Sequence, residues 1–222
     1  MLRINELFVT IQGEGSFTGY PSIFIRLQGC NVGCAWCDTK HTWDVVADDE
    51  ISLEYMFAKD SDSSCYASVT SDTLVNYILA NYPQVKHIVI TGGEPAIYDL
   101  ILLTTLLINH SKSVQLETSG TSEILVHPDT WVTLSPKIMI SPDKKLLDSS
   151  ILRANEIKFP IGKMADIDMI HKLVENYPIL NSIQIWLQPI SQNKTALALC
   201  IEQSIKNNWY LSVQVHKYIY IR

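Results

Sequence analysis

The chain has 222 residues, of which 47% are apolar and 18% charged, with a formal net charge of −6 and a mean hydropathy of +0.10. That length suits one large domain with room for a sizeable core, and a charged fraction below the roughly 25% usual for soluble domains excludes a polar, disordered chain. The negative balance argues against a protein held mainly by nucleic-acid phosphates, so no direct nucleic-acid contact is expected.

Met1 leads through Arg3, Asn5 and Glu6 with no apolar signal segment, which makes a cytoplasmic location the expectation. Short apolar, β-branched runs then predict strands at 23–27, 87–91, 114–117, 131–134, 156–159, 183–187 and 211–215. Helical patterns lie between several of them, at 72–82, 97–109, 166–177 and 195–207, with Ser71 as a candidate N-cap. Pro83 and Pro178 end two of these helices, because proline lacks the N–H that a helix needs. The most apolar stretch, 100–108, is broken by Thr104 and Thr105 and is too short for a bilayer, so no membrane contact is expected. The segment 44–70 carries Asp48, Asp49, Glu50, Asp60 and Asp62 around a Ser-rich centre, and reads as a partly mobile, solvated insertion within a single domain spanning 1–222.

Strands alternating with helices point to parallel βα units. Some intervals, such as 118–131, are too short for a full helix. The fold class expected is therefore α/β, a partial, irregular parallel (βα) barrel with reduced helices. Polar and Gly/Pro clusters follow successive strands: Cys30 to Lys40, Thr91-Gly92-Gly93-Glu94-Pro95, Glu117-Thr118-Ser119-Gly120, Ser135-Pro136-Lys137, Lys158-Phe159-Pro160, Gln188-Pro189-Ile190-Ser191 and Gln214-Val215-His216-Lys217. A composite site at the C-terminal mouth of a parallel barrel needs such clusters there.

Five cysteines is an odd count, and Cys30, Cys34 and Cys37 crowd together while Cys65 and Cys200 stand alone. A secreted disulfide scaffold would spread and pair its cysteines, so a metal or redox role is the better reading. Zinc would want a fourth ligand, for which His41 is the near candidate. Three thiolates on a four-iron cluster leave one iron open to bind something else. The Cys30-x3-Cys34-x2-Cys37 loop after a strand, with Trp36 inside it and Gly92-Gly93-Glu94-Pro95 downstream, resembles the radical S-adenosylmethionine enzymes. Thr10-Ile11-Gln12-Gly13-Glu14-Gly15, Phe24-Ile25-Arg26-Leu27, Trp36-Cys37-Asp38-Thr39 and the strand-end motifs above extend the resemblance over nearly the whole chain. Within that superfamily the chain is similar to the 7-carboxy-7-deazaguanine synthase family, in its longer enterobacterial-type form.

The resemblance implies a lyase that contracts the ring of 6-carboxy-5,6,7,8-tetrahydropterin, releasing ammonia, in the pathway to queuosine and related 7-deazapurines. It implies one 4Fe-4S cluster on Cys30, Cys34 and Cys37, S-adenosylmethionine on the open iron, and Mg2+ at Thr39. Cofactor contacts are implied at Trp36, Cys37, Asp38, Gly93, Glu94, Ser135, Pro136, Lys137 and Gln188. Substrate contacts are implied at Ile11, Gln12, Gly13, Glu14, Arg26, Thr91, His216 and, through the terminal carboxylate, Arg222. Arg26 suits a carboxylate by its bidentate fork, and an arginine in an apolar strand is costly to bury without an anion. Glu14 is expected either on the aminopyrimidine edge or beside a neighbouring lysine. Gly92 and Gly93 would let backbone approach a ligand closely. A flavodoxin or ferredoxin-type reductant and a homodimer are also implied. Two other readings remain: an activase that installs a glycyl radical on a protein, and a zinc-binding interaction protein using Cys30, Cys34, Cys37 and His41.

Replacing Cys34 with Ala should abolish cluster content and activity, whereas Cys65→Ser should leave both intact, because only Cys34 belongs to the three-thiolate loop. Iron and sulfide analysis of the two anaerobically purified variants checks the contrast.

Overall fold

Side-chain alternation organises this chain more than any one helix does. The computed structural model describes residues 1–35, 37–137, 145–190, 193–219 and 221. Its strands are β1 (Leu2–Ile11), β2 (Pro21–Leu27), β3 (Ala67–Val69), β4 (His87–Gly92), β5 (Ser113–Thr118), β6 (Trp131–Leu134), β7 (Glu156–Ile161), β8 (Gln184–Pro189) and β9 (Tyr210–Leu211). Its helices are α1 (Leu53–Phe57), α2 (Ser71–Asn81), α3 (Ile101–Asn109), α4 (Asp148–Arg153), α5 (Met164–Asn176), α6 (Lys194–Asn207) and α7 (His216–Ile219). The strands form one sheet in the order β3-β1-β2-β4-β5-β6-β7-β8-β9. Every pair from β2 to β9 is parallel, and β1 runs antiparallel to both β2 and β3. Among the described residues no helix is long and apolar enough to cross a membrane.

Alternate residues of each parallel strand face opposite ways. Ile23, Ile25 and Leu27 of β2, Ile88 and Ile90 of β4, and Val114 and Leu116 of β5 pack under α2 and α3. Ile157, Phe159 and Ile161 of β7, with Ile185 and Leu187 of β8, join Ile167, Ile170 and Cys200 of α5 and α6 in a second cluster. The intervening positions, Arg26, Thr91, Gln115, Glu117, Thr133, Glu156 and Lys158, are left for the concave inner face. A parallel strand buried on both sides usually reads as continuously apolar. Here the inner face is polar, and that is where the chemistry sits.

Several elements differ from the sequence reading. β1 escaped it because Arg3, Asn5 and Glu6 interrupt the apolar pattern. A register shift between Ile4 and Glu6 resets the alternation and leaves Asn5 fully buried. The Asn5 amide donates to Gln28 Oε1 (2.7 Å) and to the carbonyls of Ser63 and Cys65, so the polar residue is satisfied inside. The 44–70 segment is not simply a solvated insertion. Its acidic residues Asp48, Glu50, Asp60 and Asp62 are exposed, but Met56, Tyr66, Ala67 and Val69 are buried, and β3 adds to the edge of the sheet. Thr70 rather than Ser71 caps α2, accepting from the Thr73 N–H. A 3-10 turn at Pro95–Ile97 precedes α3, which therefore begins later than the pattern suggested. The strand expected at 211–215 stops at Leu211, and His216 lies on a short helix instead. Beyond Ser212, whose N–H still donates to Leu187 O of β8, the chain turns away: Ser212 Oγ accepts from Gly15 N–H (3.2 Å) and Val215 N–H donates to Gly13 O (3.1 Å). Those bonds carry the C-terminal segment to the loop after β1, across the open side of the sheet.

The two glycines at the end of β4 have a structural cause that differs from the expected one. A Cβ on Gly92 would lie 2.6 Å from Leu27 O, and one on Gly93 would overlap Gly29 O and come within 3.0 Å of Thr42 O. The close approach is thus to the backbone under the cysteine loop. Gly93 N–H donates to Leu27 O (3.1 Å) and Glu94 N–H to Gly29 O (2.9 Å), which fixes the base of that loop. Gly93→Ala should cost about 1–3 kcal/mol, as overpacking does, and should lower cluster content along with the thermal midpoint. Denaturant unfolding and iron analysis of this variant measure both effects.

Candidate active site

The polar inner faces and the strand-end loops enclose a cavity of about 390 Å³. Cys30, Cys34 and Cys37 line one part of it, Phe8, Phe24, Arg26 and Thr91 another, and Glu14, Glu117, Lys158, Gln188 and His216 the rest. The cysteine loop is held at its neck, where Gly29 N–H donates to Thr42 O (2.7 Å) and Cys30 N–H to Trp43 O (2.9 Å). Backbone N–H groups of Val32 and Thr39 point at the sulfurs of Cys30 and Cys37, each at 3.4 Å. Such donors stabilise thiolates and tune iron–sulfur clusters. Burial pushes the Cys34 thiol up, opposed by Lys137, with Cys30 and Cys37 raising it further. Loaded with iron, the three sulfurs would ionise.

This donor set fits a cluster better than a single ion. Among the described residues, no three His, Cys, Asp or Glu side chains gather as they would around one metal. A four-iron cluster needs each thiolate on a separate iron, so its cysteines stand apart. His41 does not join them. Burial lowers its pKa, and the charges acting on it are Asp62, Arg26, Glu6 and Lys59, none of them a cysteine of the loop. The Cys3His zinc arrangement is not assembled.

A buried ion triad lies deeper. Lys158 Nζ contacts Glu14 Oε2 at 2.5 Å and Glu117 Oε2 at 2.9 Å. Glu14 also accepts from Gln214 Nε2 (2.8 Å), and Lys158 is the neighbouring lysine that the sequence leads us to expect. Below the triad a polar column continues: Gln12 Nε2 donates to Gln115 Oε1 (3.0 Å), Gln115 Nε2 to Thr133 Oγ1 (2.8 Å) and Thr133 to Glu156 Oε1 (2.7 Å). Ser16 donates to the other Glu156 oxygen, and Phe17 stacks on His87 at 4.2 Å between centroids. The loop after β1 thereby plugs the barrel at the N-terminal ends of its strands.

Burial raises the Glu117 carboxyl to about 7. Lys158 opposes that shift, while Glu14 and Glu156 reinforce it. Burial would raise Glu14 too, but Lys158 and Gln214 outweigh it and hold it at about 2. One ammonium cannot neutralise two carboxylates, and Glu117 is the one left short.

The other expected residues are distributed as follows. Ile11, Gln12, Gly13, Glu14, Arg26, Thr91, Cys37, Asp38, Thr39, Gly93, Glu94, Ser135, Lys137, Gln188 and His216 all line the cavity. Pro136 is buried and does not. Trp36 and Arg222 lie outside the described residues, as does Ser191. Arg26 has an anion already: its Nε donates to Glu6 Oε1 at 2.5 Å. The burial argument for a substrate carboxylate is thus met by Glu6, and only the remaining guanidinium N–H groups are left for one. Glu94 is fully engaged, accepting from Thr118 Oγ1, Ser119 N–H, Ser119 Oγ and Ala96 N–H. It ties the loops after β4 and β5 together. Lys137 Nζ donates to Ser135 Oγ (2.9 Å). Gly13 is required by His216, whose Nδ1 would lie 2.6 Å from a Cβ there. Burial lowers the His216 pKa, against Glu14 and Asp38.

Lys158, Glu117, Phe8 and Phe24 line the cavity but were not singled out as site residues. Charged residues at alternate positions of apolar strands were the available signal for the first two. Phe8 and Phe24 are cross-strand partners, stacked at 5.3 Å, with the Arg26 guanidinium 5.9 Å from the Phe8 ring. Their pairing depends on β1, whose interrupted apolar pattern hides it in the sequence.

Comparison with known proteins agrees in family and extent. Residues 24–139 match the model of the Radical SAM superfamily. The chain is 50% identical over 218 residues to the 7-carboxy-7-deazaguanine synthase of Escherichia coli strain K12, covering 98% of both chains. It is 33% identical to that of Bacteroides thetaiotaomicron over the full length of both. The crystal structure of QueE from Escherichia coli superposes with a TM-score of 0.92 at 49% identity, covering 96% of this chain and 93% of that one.

The triad makes stability depend on pH in two windows. Glu117 has a raised pKa, so it retains its proton in the fold and its contribution falls as pH rises from about 4.5 to about 7. Glu14 has a depressed pKa, so its contribution is present above about 4.5 and lost as pH falls toward about 2. Glu117→Gln should remove the first slope and leave the second. Chemical denaturation across pH 3–8 reads both.

Proposed function

The chain belongs to the 7-carboxy-7-deazaguanine synthases of the radical S-adenosylmethionine superfamily, and on that footing we propose that this cavity converts 6-carboxy-5,6,7,8-tetrahydropterin to 7-carboxy-7-deazaguanine and ammonia. The observation that carries the reading is the union, in one cavity, of three cysteine sulfurs with a polar inner wall. When bound, the cluster on Cys30, Cys34 and Cys37 and its S-adenosylmethionine supply a hydrogen-abstracting radical.

The chain's own residues bind and orient. Gln12 offers a donor and an acceptor to a pterin edge, beside the backbone of Ile11 and Gly13. The free N–H groups of Arg26, with Thr91 next to it in register on β4, face a carboxylate. His216 is set against Gly13 at the opposite wall, where its neutral form can donate or accept. Ser135, Lys137, Gln188, Gly93 and Asp38 form the cofactor's surroundings, while Glu94 and Pro136 act through the loops they stiffen. Trp36 and Arg222 keep the contacts implied by the family resemblance.

Thr39 Oγ1, 3.5 Å from Cys37 Sγ, lies beside the cluster loop and is the proposed magnesium oxygen. A neutral hydroxyl suffices because magnesium keeps waters and borrows substrate oxygens. A ferredoxin or flavodoxin as electron donor and a homodimer complete the reading. The hydrogen-bonding groups of the inner wall suit a small polar heterocycle better than the glycyl segment of a protein.

The test is anaerobic turnover of the pterin with reductant and S-adenosylmethionine, followed by mass detection of the product. Activity should depend on magnesium, and Thr39→Ala should raise the magnesium requirement more than the S-adenosylmethionine requirement. Equal loss of both affinities would point instead to collapse of the loop.

A further inference from the structure

We propose that Glu117 is the acid–base group of the ammonia-releasing stage, and that Lys158 and Glu14 are the positioning residues that keep it able to exchange one proton with the substrate. The inference rests on the pterin reaction proposed above and goes beyond its radical chemistry, which needs no protein acid.

The geometry supplies the reason. Lys158 Nζ bridges two carboxylates, at 2.5 Å to Glu14 and 2.9 Å to Glu117, and its side chain is 6% exposed. Glu14 has a further donor in Gln214 and is the better-paired member. Among the described residues, Glu117 receives on its second oxygen only the longer contact from Gln115 Nε2, at 3.2 Å. Both carboxylates line the cavity, so Glu117 is open to whatever fills it. Two carboxylates and one ammonium leave a net negative charge among buried polar groups. The site relieves it by holding a proton, and Glu117, raised toward neutrality, is where that proton resides. The charged and titratable groups around it are Lys158 and Glu156 on β7 and Glu14 on the loop after β1. His216 feels Glu14 and Lys158 of the triad, together with Lys217 and Asp38 beside it. His87, through Gln115, stands below it.

Ammonia loss needs such a group. As the carbon–nitrogen bond breaks, its electron pair goes to nitrogen, and the Glu117 proton forms the new N–H bond. Aromatisation of the contracted ring then breaks a carbon–hydrogen bond. Its electrons enter the ring and its proton returns to the Glu117 carboxylate. The cycle balances with no outside acid, base or oxidant. A lone carboxylate at its ordinary pKa would hold no proton near pH 7 to give, and a fully neutralised ion pair would not exchange one.

The experiment uses the reconstituted holoenzyme and a pterin deuterated at the carbon that yields hydrogen to the radical. Two readouts are followed: deuterium entering recovered S-adenosylmethionine, and ammonia released. Glu117→Gln, isosteric and able to keep its contact with Lys158 as acceptor, should retain cluster content and deuterium entry within a few fold. It should lose about 100-fold or more in ammonia release. Glu14→Gln should free Lys158 to pair wholly with Glu117 and move the pH profile of ammonia release to lower pH. Ammonia release in Glu117→Gln equal to wild type would overturn the proposal. So would loss of deuterium entry together with ammonia, since that makes Glu117 a binding residue. If the wild-type holoenzyme entered deuterium and released no ammonia, the assigned reaction itself would fall, and the acid–base role with it.

Discussion

One buried ammonium organises the interior. Lys158, on β7, reaches Glu117 on β5 and Glu14 on the loop that follows β1, and so joins three separate parts of the chain. Charge in such a place persists only when paired, and removing one partner of a buried pair typically costs about 3–5 kcal/mol. The contact therefore does more than balance charge. It draws the loop after β1 into the barrel, where Ser16 and Phe17 close the N-terminal end and Gly13 receives the C-terminal segment. His216 reaches the cavity only because that docking occurs.

The cysteine loop depends on a different constraint, the near contact of two backbones. Leu27–Gly29 and Gly92–Gly93 approach so closely that no side chain fits between them. β2 and β4 are neighbouring parallel strands whose ends splay into these loops, and the hydrogen bonds of Gly93 and Glu94 keep the ends together. Glu94 adds the loop after β5 through Thr118 and Ser119. The three sulfurs thus sit on a base assembled by three strands, which suits a reactive, oxygen-sensitive group that must be held in one place.

These two anchors divide the labour of the cavity. The cysteine end is built from local sequence, with three sulfurs and their N–H donors lying between Cys30 and Thr39. The other end is built from residues more than a hundred positions apart, as in Glu14 with Lys158 and Gln214. The cysteine sulfurs and the buried triad line one small volume.

The sequence by itself determined much of this protein. Short apolar, β-branched runs marked six of the strands and met β9 only at Leu211, proline marked the ends of α2 and α5, and three cysteines at fixed spacing marked the chemistry, because each of these signals is local. β1 stayed hidden, since its register shift breaks the alternation that identifies a strand. The core residues within 44–70 were masked by acidic neighbours that face solvent. Only the tertiary structure decided that Arg26 is paired with Glu6, that the paired glycines serve backbone packing, and that Glu14 and Glu117 share one lysine. Those facts depend on which distant groups meet in a low-dielectric interior, and a one-dimensional pattern carries the groups without their distances.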